Sequence, residues 1–151
     1  KLLGAEALIK VLGLIVICTL CNSSIVLFLV SFFKSNNAFA TASTIIGTLI
    51  GFLTGVYLPI GQLPESVQLI IKCFPPTHGA LLFRQVMMEP ALAKSFAGAP
   101  AQALSDFETA MGVTAKFGDT SITPMTSIII LLATAAVFYT LALINLSRKQ
   151  K

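Results

Sequence analysis

Charge is what this sequence has least of. Charged residues are 11% of its 151, against about 25% in soluble domains, which excludes an ordinary solvated surface around a water-soluble core. Histidine occurs once, as His78, and one histidine cannot build a metal centre. The three cysteines, Cys18, Cys21 and Cys73, make no disulfide framework. No GxxxxGK[ST] loop is present; the Gly47–Gly51 run is apolar and leads to no lysine, so no nucleotide site is expected on this chain. The net charge of +4 lacks a basic patch with interleaved aromatics, and nucleic acid is excluded as a partner. No signal peptide is read at the start, because the first apolar run is too long and lacks a small-residue cleavage site.

What the sequence does have is apolar length. Hydrophobic residues make up 56% and the mean hydropathy is +0.90, which points to a bilayer. Lys1 stands where Met is usual, beside an apolar segment, so the chain is expected to be a portion of a longer protein. After a mixed stretch to Lys10, read as an interfacial turn of helix, residues 11–33 carry no charge. At 1.5 Å per residue this is about 35 Å, enough to cross the hydrocarbon with some tilt. The polar turn Lys34-Ser35-Asn36-Asn37 leads into a second uncharged run, 38–58. A turn this short makes the two spans an antiparallel hairpin. Residues 124–146 form a third, with Thr123 as cap and Pro124 in the first turn.

Between the second and third spans the pattern changes. Leu63, Val67, Ile70, Ile71 and Phe74 follow helical spacing, and Pro75-Pro76 breaks the helix. A second short helix, about 77–88, follows. Two short apolar helices joined by a double proline predict a re-entrant or interfacial hairpin over 63–88, tolerated where protein or water covers the broken backbone. Residues 89–121 read as an external insert with an amphipathic helix around Leu104, Phe107 and Met111. That helix lies on the outer leaflet or over the hairpin as a lid. The expected fold is therefore all-α: a polytopic membrane protein with three transmembrane helices, the hairpin and the external helix.

Orientation follows from the basic residues. Arg148, Lys149 and Lys151 place the C-terminus in the cytoplasm. Residues 65–121, with five acids and four bases, are then external, Lys34 is cytoplasmic, and Lys1 and Lys10 at the outer end are a mild exception.

Several residues are candidates for function. Ser43, Gly47, Gly51 and Gly55 form a small-residue ridge on the second span, suited to close helix approach in a membrane. Thr19, Asn22 and Ser23 share a face of the first span; Asn22, Thr44, Thr48 and Thr134 fall at similar depth. They are either interhelical hydrogen-bonding groups or the wall of a substrate path. None is ionisable, which gives a proton relay little support. Pro59, Pro64, Pro75 and Pro76 punctuate the outer surface. Cys18 and Cys21 read as packing residues, His78 as a cap or interfacial residue, and Glu65 as a first-turn carboxylate offsetting the helix dipole.

The segments FFKSNNAFATA (32–42) and GFLTGVYLPIGQLPE (51–65), with the Pro75-Pro76-Thr77 break, resemble the membrane subunit of ABC-2 type transporters. The resemblance covers most of 14–88 and, more loosely, the last span. It implies that these are spans four to six of a six-span permease, with spans one to three and the ATPase-contacting coupling helix outside this chain. It also implies a permease subunit of an ATP-driven exporter in a bacterial cytoplasmic membrane, working by alternating access. Its partners are an ATP-binding subunit that carries ATP and Mg²⁺, a second permease subunit, identical or different, and membrane lipids. The glycine ridge would lie at the dimer seam and the prolines at the outer gate. The chain itself is expected to be no enzyme and to hold no cofactor. The alternative is a non-transporting membrane anchor or assembly subunit that uses the ridge only to pack.

Overall fold

In the computed structural model the described residues are 4–118 and 120–149, with the side chain of Lys149 left out. Lys1 and Lys151, which enter the orientation argument, lie outside them, as does Asp119 of the external insert.

The first helix, α1 (Ala5–Val30), begins earlier than the uncharged run and absorbs the expected interfacial turn. Glu6 and Lys10 sit one turn apart on its exposed face and form a 2.7 Å ion pair. At its other end Ser31 caps the helix and donates its hydroxyl to the Phe28 carbonyl. Helix α2 (Asn36–Leu53) is capped by Ser35, whose Oγ accepts from the Ala38 N–H at 3.2 Å. It ends at Leu53 rather than near residue 58, because Thr54 caps it and Gly55 turns left-handed with φ +70°.

A 3-10 turn (Ile60–Gln62) follows, then α3 (Glu65–Cys73) and α4 (Pro75–Ser95). Phe74 stands extended between α3 and α4, as a residue before proline must. Pro75 and Pro76 occupy the first turn of α4, where their missing N–H groups cost nothing. α4 runs through Pro90 to Ser95, past the expected end of its helix at residue 88. α5 (Ala101–Met111) is closed by Gly112 at φ +66°. A two-residue hairpin, β1 (Lys116–Phe117) with β2 (Thr120–Ser121), leads into α6 (Pro124–Lys149). Thr123 caps α6, its Oγ1 accepting from the Thr126 N–H.

The core is a three-helix contact of α1, α4 and α6. Leu14, Cys21, Leu82 and Leu131 form its buried centre, flanked by Ile17, Cys18, Ile25, Phe83, Val86 and Ile128. α1 and α6 run parallel. Leu14 meets the Leu131 level, the Phe28 and Phe138 rings stack edge-on at 5.3 Å, and Asn145 Nδ2 donates to Ser31 Oγ at 2.7 Å. α4 runs against them: Gly79 faces Cys18, and Glu89 lies near enough to Lys10 to act on its charge. Beside Leu131, the most deeply buried positions of α1 and α6 are small, Cys21, Ser24, Ser127 and Ala142. Small side chains let backbones approach where no water remains to drive association.

Among the described residues, two helices are long and apolar enough to cross a membrane, α1 and α6. Only 17% and 22% of their apolar windows are buried. A soluble core helix would hide its apolar residues; these turn Leu12, Val16, Leu132, Val137 and Leu143 outward, as lipid-facing helices do.

Candidate functional site

Helix α2 stands apart from the core. Among the described residues, it alone of the four long helices buries no side chain. Ser43 and Gly47 line an apolar cleft of about 210 Å³ between α2 and the end of α1, walled by Val26, Leu29, Phe33 and Phe39. A side chain added at Gly47 would meet nothing within 4 Å. The ridge is shorter than its spacing implies. Gly51 is covered from within, since a Cβ there would run into the Tyr57 ring, whose Cζ is 2.8 Å away. Gly55 is off the helix altogether, because its left-handed turn ends α2. Helical spacing places residues on one face only while the helix continues.

The polar layer does not converge either. Asn22, Thr44 and Thr48 are exposed, and the two threonines donate to the carbonyls one turn back, Ala40 and Thr44, at 3.1 and 3.0 Å. Thr19 and Ser23 are likewise exposed, and Thr134 is half-buried on α6. The structure brings none of these side chains of α1, α2 and α6 into mutual hydrogen bonds among the described residues. The buried polar groups of the span pair are instead Ser24, bonded to the Cys21 carbonyl, and Ser31 with Asn145.

Polar residues do converge where α2 ends, at the start of α4. Thr77 Oγ1 donates to the Leu53 carbonyl at 3.0 Å. Two turns further along the same face of α4, Arg84 donates from Nη2 to the Thr54 and Gly55 carbonyls at 2.9 and 2.8 Å, and from Nη1 to the Gly112 carbonyl at 3.4 Å. A helix end leaves its last carbonyls without partners. Thr77 and Arg84 supply them and attach the end of α2 to α4. Gln85 Nε2 does the same for the Val113 carbonyl at 3.0 Å. Gly55 and Gly112 pack around Ile60 beside the guanidinium, each too close for a Cβ.

His78 is neither a cap nor an interfacial residue. It is 1% exposed and joins three elements. Nε2 lies 3.0 Å from the Lys72 carbonyl and Nδ1 3.2 Å from Ser127 Oγ. A carbonyl only accepts, so Nε2 carries the proton and the Ser127 hydroxyl donates to Nδ1. The imidazole thus ties the end of α3 to the first turn of α6.

The prolines mark where this assembly turns. Pro59 precedes the 3-10 turn, Pro64 precedes α3, and Pro75 with Pro76 starts α4. Glu65 falls in the first turn of α3. Cys18 and Cys21 pack in the core, Cys21 fully buried. Spacing passed over Arg84, although an arginine within an apolar segment is a signal in its own right. His78 gave no such signal, because its partners lie on two other elements.

A family model described as "ABC-2 family transporter protein" matches residues 3–144. No curated protein and no solved structure matches the chain.

Proposed function

The chain belongs to the ABC-2 transporter family, a family of membrane permeases, and on that premise we propose that it is part of the permease of an ATP-driven exporter. It sits in a bacterial cytoplasmic membrane with its C-terminus inside. ATP and Mg²⁺ act on an ATP-binding partner, and a second permease subunit meets this one along α2.

The observation that carries the reading is the relation of three helices. α1 and α6 are parallel, so two spans of this kind need a return crossing between them, and in this reading α2, about 27 Å long, makes it. Its Ser43 and Gly47 side faces the apolar cleft against α1, where a side chain added at Gly47 would meet nothing within 4 Å. A helix with no fully buried side chain, separated from α1 by an open cleft, suits a seam that opens and closes. In this reading Asn22, Thr44, Thr48 and Thr134 line the path. The assembly from Pro59 through Pro64 to the Pro75-Pro76 break forms its outer gate.

Affinity purification of the full-length protein from its own membrane tests the partner. It is expected to recover a chain with phosphate-binding-loop motifs and ATPase activity. Recovery of the protein without such a chain, under conditions that preserve other membrane complexes, rejects the exporter reading in favour of an anchor. The seam is tested at Gly47, since a larger residue at Gly51 would disturb Tyr57 within the subunit. Gly47→Leu is expected to leave the fold intact and abolish transport; wild-type transport by that variant rejects the seam.

A further inference from the structure

A groove of about 580 Å³ runs along α3 on the side of the β1–β2 hairpin. Lys72 of α3 and Lys116 of β1 both line it, with Gln68, and the same residues line a smaller pocket of about 70 Å³ beneath it. Among the described residues neither ammonium has an ion-pair partner; the salt bridge found there joins Lys10 and Glu6. Glu65 lines the far end of the groove, two helical turns or about 10 Å along α3 from Lys72. Leu69, 56% exposed, and Phe117, 36% exposed, form its apolar flank.

His78 places the groove beside the start of α6. Its ring bonds the Lys72 carbonyl and Ser127 together, and Ser127 lies in the first turn of α6. Lys72 is therefore tied through one side chain to the start of an apolar span. Lys116 belongs to the hairpin that immediately precedes that span. Two cations at the edge of the hydrocarbon, with exposed apolar side chains beside them, match an amphiphile whose phosphate lies at that level and whose chains lie below it.

We propose that this groove binds the phosphate of an anionic membrane lipid, held between Lys72 and Lys116 with an acyl chain along Leu69 and Phe117. The proposal rests on α1 and α6 spanning a membrane but not on transport or on an ATP-binding partner. Its test therefore fails or succeeds independently of the exporter reading.

The full-length protein is purified in mixed micelles of phosphatidylglycerol and phosphatidylcholine, and the lipid retained is measured by native mass spectrometry. Wild type is expected to retain phosphatidylglycerol in excess. At low salt each lysine near a lipid surface contributes about 5-fold, so Lys72→Gln/Lys116→Gln is expected to lose about 30-fold. Lys72→Arg/Lys116→Arg is expected to keep the preference, and the circular dichroism of all three proteins should agree. Undiminished phosphatidylglycerol retention by the glutamine variant overturns the site. Displacement of the lipid by millimolar inorganic phosphate overturns the lipid as its ligand, because a soluble anion then suffices. Failure of phosphate to compete, with the lipid lost in the glutamine variant, is the result expected.

Discussion

At the scale of single residues, Arg84 holds the most connections per side chain. Its guanidinium meets carbonyls from the end of α2, the following turn and the end of α5. Removing it leaves those groups in a partly buried place without donors, which costs about 1–3 kcal/mol for each group left unsatisfied. Arg84→Met is therefore expected to lower the unfolding temperature markedly. Arg84→Lys should recover little, since all three N–H groups of an ammonium leave one nitrogen on a shorter side chain, whereas the guanidinium serves the α2 and α5 ends from two separate nitrogens. Thermal unfolding followed by the reaction of buried Cys21 with a thiol-reactive dye, in a Cys73→Ser background, measures both. Equal melting of Arg84→Lys and wild type would contradict the forked role. Gly79 offers a second residue-level test. A Cβ there would stand 2.7 Å from Cys18 Sγ, and such overpacking typically costs about 1–3 kcal/mol. Gly79→Ala should destabilise, and adding Cys18→Ala should restore stability. Strict additivity of the two changes would show that the residues do not touch.

At the scale of elements, the double proline and the α2 helix behave differently from one another. Pro75 and Pro76 hold Phe74 extended and start α4, a local effect that the sequence states openly. Pro75→Ala/Pro76→Ala removes the restriction on Phe74 and allows α3 and α4 to join. Spin labels placed at exposed positions 69 and 87 are then expected to move apart; an unchanged distance would mean that His78 and Thr77 alone keep the bend. The α2 ridge was legible only in part. Its four-residue spacing is real, but spacing does not reveal where a helix stops. Gly55 belongs to the stop, and Tyr57 folds back over Gly51. The Gly47 position separates packing within the subunit from packing between subunits. Gly47→Ala should leave both folding and transport near wild type, since it adds a methyl to open space, whereas Gly47→Leu should affect transport alone. Loss of monomer stability in Gly47→Leu, read by the same thiol assay, would place the ridge inside the subunit.

At the scale of the whole molecule, parallel α1 and α6 set a definite arrangement of sides. Lys34 and Arg148 lie at one end of the bundle, and Asp106 of α5 at the other. In a cysteine-free background, Lys34→Cys and Arg148→Cys should react with a membrane-impermeant thiol reagent only from the cytoplasmic side. Asp106→Cys should react only from outside. Labelling of Lys34→Cys and Asp106→Cys from the same side would reject α2 as a crossing; exchange of the two sides would reverse the orientation that the basic tail implies.

The membrane, the helical class and the family were readable in the chain itself. Each rests on local quantities: uncharged runs long enough for a bilayer, proline punctuation, and motifs whose residues are neighbours in sequence. The sites were not readable in the same way. Asn22, Thr44 and Thr48 have one expected depth, yet the two threonines bond to their own helix and Asn22 is exposed, because an expected depth does not specify the rotation of a helix. His78 found Lys72 and Ser127, and Arg84 found Thr54, Gly55 and Gly112, only once α3, α4, α5 and α6 had packed. Those contacts join groups far apart along the chain, and which distant carbonyls are left open is settled by packing, not by spacing.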